Sequence, residues 1–203
     1  MNLATSEVQG VQRWAVPVAG HPPCSAENPA PGDTLAEVLA VRVGELDVEP
    51  MLSTLCEAEQ RRSAQFKSPH RRHEYIASRW LVHQFDDVGP VSISHCRRWI
   101  VVGATRGAAI GVDVESRLPR HVEEVAARLH WGDLEDGQQL QAWTLWEAWR
   151  KLEGGSVLDE PDPVYRHALA ASAHILAGGS EIDGVQFRSL ALPGGCLSLA
   201  VRP

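Results

Sequence analysis

The sequence predicts an α+β fold. After a first strand come two segments with helical spacing, and three short β-rich runs separated by turn signals follow. A further helical stretch then precedes a closing β pair. Helices and strands are mixed and then partly repeated, unlike the strict alternation that builds a parallel sheet. At 203 residues, 44% hydrophobic and 22% charged, the chain can bury one large core or two closely packed smaller ones.

Taken in order, residues 1–34 are rich in Pro, Ala and Gly, and read as a loosely ordered extension with one strand at 14–18. Residues 35–43 are the first strand of the folded body. Residues 57–66 and 70–85 are helices broken at Pro69, which has no amide hydrogen to give a helix interior. In the second of them Ile76 with Trp80, and Tyr75 with Val82, fall at helical spacings. Residues 91–94, 99–105 and 109–115 are short strands. Val122, Val125, Ala126 and Leu129 make 120–130 an amphipathic helix, and 136–152 is a longer helix stopped by Gly154-Gly155. Residues 185–192 and 196–202, split by Pro193-Gly194-Gly195, close the chain as a hairpin. No internal repeat is visible.

Composition narrows the function classes. No apolar run is long enough to span a bilayer and the first residues lack a signal pattern, so no membrane association and a cytoplasmic location are expected. Cys24, Cys56, Cys96 and Cys196 are scattered without a CxxC pair and read as reduced thiols. A net charge of −7 argues against nucleic acid as a partner. The charge is uneven, however. Arg61, Arg62, Lys67, Arg71, Arg72, Arg79, Arg97 and Arg98 face only Glu74, Asp86 and Asp87 in the same segment. Such a segment suits a specific anionic ligand, and it equally suits a solvated helix face.

The chemistry concentrates in Ala109-Ile110-Gly111-Val112-Asp113-Val114-Glu115. On a strand, residues two apart share a face, so Asp113 and Glu115 project together while Val112 and Val114 face the core. Paired carboxylates on a half-buried strand repel and lose hydration, and a hard cation such as Mg²⁺ removes both costs. A solvated strand face is the competing reading. In 136–152, Trp143, Glu147 and Lys151 share one helix face; they form either an ordinary Glu–Lys pair or a third carboxylate and a phosphate-binding cation. His95, after Val91-Ser92-Ile93-Ser94, is either a structural histidine or a hydrogen-bond donor to a phosphate.

Ile93-Ser94-His95, then residues 99–102, then Ile110-Gly111-Val112-Asp113-Val114-Glu115, then Trp143…Glu147-Ala148…Lys151 resemble the ordered signature of the Sfp-type 4′-phosphopantetheinyl transferases. Those motifs read in the family as SHS, GIDIE and WxxKExxxK. Glu57…Glu59…Arg61-Arg62…Phe66 and the Arg/His-rich helix through Arg79 are similar to the family's N-terminal half. The resemblance covers about residues 35–203. It implies two similar α/β lobes related by a pseudo-two-fold, with the site in the cleft between them. The extension would be 1–34, the N-terminal lobe 35–115 and the C-terminal lobe 116–203.

The activity implied is Mg²⁺-dependent transfer of the phosphopantetheine arm of coenzyme A to a serine of an acyl or peptidyl carrier protein, in polyketide or nonribosomal peptide biosynthesis. By the same resemblance Asp113, Glu115 and Glu147 would hold the metal, and Glu147 would help deprotonate the serine. Lys151 would neutralise the leaving phosphate. Ser94, His95, Arg61, Arg62 and Arg79 would contact coenzyme A. A chain that builds its own cleft needs no second subunit, so a monomer is expected. Arg97, Arg98 and Arg117 are candidates for a dock to an acidic carrier.

The chain departs from the family pattern twice. Trp146 stands where the helix motif has a lysine, either as core or as a lost cation. The family's Gly-Lys-Pro segment, which cradles the adenine end, is reduced to Asp86-Asp87-Val88-Gly89-Pro90. The alternative function is therefore a transferase-like protein that performs another reaction on a carrier-bound intermediate, or merely binds it.

Overall fold

The computed structural model describes residues 11–17, 35–86, 89–118, 134–155 and 181–203. Among these, the chain is a mixed α+β protein with two four-stranded antiparallel sheets and four α-helices. The strands are β1 (Val11–Pro17), β2 (Leu35–Arg42), β3 (Val91–His95), β4 (Trp99–Thr105), β5 (Ala109–Glu115), β6 (Glu181–Ile182), β7 (Val185–Leu192) and β8 (Gly195–Arg202). The helices are α1 (Val48–Thr54), α2 (Glu57–Ala64), α3 (Pro69–Val82) and α4 (Asp136–Leu152). The first sheet has the order β1-β2-β4-β3 and the second β5-β8-β7-β6. The helix expected at 120–130 lies outside the described residues.

Local chemistry accounts for the helix bounds. Pro69 does not break a helix but opens one: it occupies the first turn of α3, where no amide hydrogen is needed, behind the Ser68 cap that accepts from Arg71 N. Beyond Val82 the chain tightens, with Gln84 N bonding Leu81 O and Phe85 N bonding Val82 O, so the expected extension of this helix to 85 is a turn. At the end of α4, Gly155 N reaches Arg150 O at 3.0 Å and Gly154 N reaches Lys151 O at 3.3 Å, with Gly154 at φ +70°. This paired closure is the Schellman motif, and it stops the helix where the Gly-Gly pair was expected to.

The layers follow from which face of each strand is apolar. One face of the first sheet (Leu39, Val41, Ile100, Val102) packs on α1 and α3 through Val48, Met51, Ile76 and Leu81. Its other face (Val38, Ala40, Trp99, Val101) packs on Ile110, Val112, Val114, Leu197 and Leu199 of the second sheet. The far face of the second sheet is covered by α4, whose Trp143, Trp146 and Trp149 meet Val185, Phe187 and Ala200. The order of layers is therefore helices, sheet, sheet, helix.

Two expected boundaries shift. Residues 11–17 are no extension: β1 pairs with β2 along its whole length, from Val11 opposite Val41 to Pro17 opposite Leu35. Strand β5, expected in the N-terminal lobe, belongs to the second sheet, where Asp113 lies opposite Ser198 and Glu115 opposite Cys196. Only Arg106–Ala108 separate it from β4, yet the two strands stack instead of pairing. Gly103 on β4 explains this, because a Cβ there would lie 2.4 Å from Val112 Cγ1 and 2.9 Å from Ile110 Cδ1. Without a side chain at 103, β5 lies flat across β4 and continues into another sheet.

Helix α4 sits equally close to β5. A Cβ on Gly111 would lie 1.8 Å from Ala148 O and 2.7 Å from Leu152 N, both helix backbone. Gly111→Ala must therefore lift α4 from the sheet, and we expect a loss of about 2–3 kcal/mol in chemical denaturation, within the usual cost of overpacking. An unchanged unfolding midpoint would show that the helix is not seated on Gly111.

Candidate active site where β3, β5 and α4 meet

Strand β3 is the edge of the first sheet and β5 the edge of the second. They are joined not by a backbone ladder but by serine hydroxyls. Ser92 Oγ accepts from Val112 N at 3.0 Å, and Ser94 Oγ accepts from Val114 N at 3.3 Å. Two buried edge amides thereby find partners that an unpaired edge strand would lack. Ser94 then donates its hydroxyl hydrogen to Asp113 Oδ1 at 2.8 Å.

Lys151 completes the junction from α4. Its ammonium lies 2.8 Å from Asp113 Oδ1 and donates to Val112 O at 3.1 Å. Asp113 is 5% exposed. An ionised carboxylate this deep needs paired charge and hydrogen bonds, and its Oδ1 has both. Its Oδ2 is buried with no hydrogen-bond partner. A buried acceptor without a donor costs about 1–3 kcal/mol, so this oxygen is a natural ligand atom for a cation.

Glu115 and Glu147 are half-buried beside it. Burial pushes the Glu115 carboxyl up to about 7, helped by the negative charges of Asp113 and Glu147 and opposed by Lys151. Burial likewise pushes Glu147 up to about 7, with Asp113 adding to the shift while Lys151 and Arg150 counter it. The three carboxylates thus feel one another across the face where β5 meets α4. Among the described residues no set of three or more His, Cys, Asp or Glu side chains forms a ready-made metal cage. Lys151 is a cation on Asp113 Oδ1. The donor set nevertheless fits Mg²⁺, since all its atoms are carboxylate oxygens and one of them is unpartnered.

The basic residues divide into two groups. His95 ends β3 and is exposed, with Nδ1 at 3.3 Å from Glu74 Oε1. Arg79 on α3 is half-buried, its guanidinium 5.8 Å from the Tyr75 ring centroid and its Nε buried without a hydrogen-bond partner. Arg61 and Arg62 are exposed on α2, and their described contacts are local. Arg61 pairs with Glu57, while Arg62 bonds Gln65 Oε1 at 2.9 Å and lies over the Phe66 ring. The structure thus unites Ser94, Asp113, Glu115, Glu147 and Lys151, whereas no described contact joins Arg61 or Arg62 to them.

One feature escaped the sequence, and at Trp146 the core alternative is the one observed. Glu74, counted in the sequence among the charges of a basic segment, is 5% exposed and touches His70, Arg71 and His95. Trp146 is 4% exposed in the aromatic core, with the Arg150 guanidinium over its ring. Its motif position therefore carries no cation, and the positive charge felt by Glu147 comes from Arg150 and Lys151.

The raised carboxyls set a pH dependence. Glu115 and Glu147 keep their protons in the folded state up to about 7 but release them near 4.5 when unfolded. The folded state therefore binds more protons across this window, and stability falls as pH rises through it. With chelator present, urea denaturation between pH 4.5 and 8 should show this decline levelling off above about 7. The double variant Glu115→Gln/Glu147→Gln should flatten it, and an unflattened profile would place the shifted groups elsewhere.

Compared with known proteins, the chain matches no family model, and no curated protein matches it.

Proposed function

We propose that the chain is a divergent 4′-phosphopantetheinyl transferase of the Sfp type, with the site lying where its two sheets meet. The observation that carries this reading is the contact of Ser94 and Lys151 with Asp113 Oδ1. These residues come from three separate sequence motifs, and their meeting at one atom is what a shared site requires. The raised pKa values of Glu115 and Glu147 support it, because perturbed carboxyls cluster at functional sites. The carboxylate trio and the four-layer α+β build are compatible with the two-lobed architecture the resemblance implies.

In this reading Asp113, Glu115 and Glu147 hold Mg²⁺, which would neutralise the pyrophosphate of coenzyme A. Glu147 would accept the proton of the incoming carrier serine. Ser94 fixes the Asp113 carboxylate, whose unpartnered Oδ2 would be available to the cation. Lys151, held between Asp113 and the Val112 carbonyl, meets the charge that grows on the departing 3′,5′-ADP. His95 and Arg79 serve the phosphates of the nucleotide. The carrier protein docks from outside, and the protein works as a monomer in the cytoplasm.

One observation favours the second reading, a carrier-directed protein with another activity. Gly89 N bonds Thr105 O at 3.2 Å and Thr105 N bonds Pro90 O at 3.3 Å. The surviving Gly-Pro pair therefore closes the end of β4 and presents no cation to a nucleotide.

Calorimetric titration with coenzyme A and Mg²⁺, followed by mass spectrometry of an apo carrier protein, separates the two. Heat and the added arm establish the transferase. Alteration of a preloaded carrier without arm transfer establishes the second reading. If the transferase reading holds, Asp113→Asn should lower kcat/KM about 100-fold in a protein that still folds cooperatively, with a melting point reduced by loss of the Lys151 ion pair. Coincident loss of folding would make Asp113 structural. Trp146→Lys, which restores the family residue, should destabilise by about 3–5 kcal/mol and not raise activity, because it empties an aromatic core. A more active, equally stable Trp146→Lys would show that the missing lysine limits the enzyme.

A further inference from the structure

Glu74 is the one buried carboxylate of α3, and nothing in helix formation calls for it. It lies on the inner side of a helix that packs on the first sheet through Ile76, Ala77 and Leu81. Burial of a charge without compensation would be costly, so its partners define its role. Its Oε2 accepts from Arg71 Nη1 at 2.9 Å. Its Oε1 faces His70 Nε2 at 3.1 Å and His95 Nδ1 at 3.3 Å. Arg71 and His70 belong to the same helix and are more than half exposed. His95 does not: it stands at the end of β3, one residue beyond the Ser94 that grips Asp113.

We infer that Glu74 is a positioning residue for His95, its Oε1 facing Nδ1 from the helix side so that the ring stands with Nε2 outward, where the imidazolium form donates its Nε2 hydrogen to an anionic ligand. The inference rests on the reading above only for the identity of that ligand. Its physical basis is the imidazole itself. A free imidazole rotates about its two torsions and exchanges its hydrogen between nitrogens, and an acceptor at one nitrogen fixes both. Glu74 is suited to this because its own position is over-determined. It is buried, and Arg71 secures the oxygen that His95 does not use. The contact also ties α3 to the tip of β3, so that the segment carrying Ser94 is restrained from both ends: by α3 at His95 and by β5 at Ser92.

Long-range nitrogen-15 spectra of the histidine-labelled full chain test this at pH 8, above the ordinary titration range of imidazole. The His95 signal is identified by its loss in His95→Asn. The wild-type chain should show His95 with its hydrogen on Nδ1. Glu74→Ala should move it to Nε2, the form preferred in solution, and Glu74→Gln should restore Nδ1, because an amide oxygen still accepts. His70→Ala should leave the His95 form unchanged. A wild-type His95 with its hydrogen on Nε2, or an identical His95 signal in Glu74→Ala, would overturn the assignment. The wild-type measurement decides even where Glu74→Ala fails to fold.

In parallel, Glu74→Ala should weaken coenzyme A binding about tenfold, and Glu74→Gln should recover most of it. No coenzyme A binding by the wild-type chain would overturn the transferase reading, while the tautomer spectra judge Glu74 separately.

Discussion

One buried carboxylate sets the terms for the rest of the molecule. Asp113 is almost out of water on the edge strand of the second sheet, and everything around it is arranged to make that tolerable. Ser94 must come from the edge of the first sheet, so the two sheets meet at β3 and β5. Lys151 must come from above, so α4 must lie against the backbone of β5, and Gly111 is the residue that lets it. Each requirement falls on a different element, and meeting all of them leaves little freedom in how the layers stack. The unpartnered Oδ2 is where the compensation stops, and a metal-bound ligand would complete it.

Aromatic packing supplies the rigidity that the polar junction lacks. Trp143, Trp146 and Trp149 anchor α4 on β7 and β8, with the last two rings 5.5 Å apart. Glu147 and Lys151 project from this helix on the side toward Asp113 and Glu115, so their placement depends on a core they do not join. Trp146 belongs to that core, and this explains how a position that resembles a lysine site can do without one. Arg150 lies over its ring and depresses the Glu147 carboxyl from nearby. Part of the charge balance around Glu147 is thus carried four residues C-terminal to the position before it.

Much of this was legible in the chain because period and punctuation were strong. The alternation through 109–115 placed Val112 and Val114 inward and Asp113 on the other face, as the core shows. The Gly-Gly pair fixed the end of α4. Other elements were hidden for physical reasons. Pro50 masked α1, although in its first turn the ring is harmless and Asp47 caps the amide of Glu49. The two-residue β6 is too short to show a period, yet Asp183-Gly184, both at positive φ, is the hairpin turn that makes it. That β5 joins the second sheet was hidden because three residues between two strands do not show whether the strands pair or stack, and Gly103 is where the stacking is visible. Glu74 looked like a solvated charge because its partner His95 is 21 positions away, a distance no periodicity spans.

The two ends of the candidate site have been treated differently by this chain. Around Asp113 the contacts of Ser94 and Lys151 and the nearby Glu115 and Glu147 carboxyls support one another. Toward the nucleotide end, the link between α3 and β3 is short, and its Gly89 and Pro90 are committed to the backbone of Thr105. A Cβ at 89 would lie 2.7 Å from Thr105 O, so the link fits this place only as glycine and cannot be rebuilt by a side chain there. Among the described residues, α3 and the tip of β3 are the elements with groups suited to hold a nucleotide in the proposed reading. Arg79 has a buried Nε awaiting an acceptor, and His95 is braced from behind by Glu74. A ligand recognised mainly at its pyrophosphate, with a lighter grip on its base, is what such a division of groups selects. On that basis the transferase reading implies tolerance toward changes in the nucleotide base, together with strict dependence on the diphosphate.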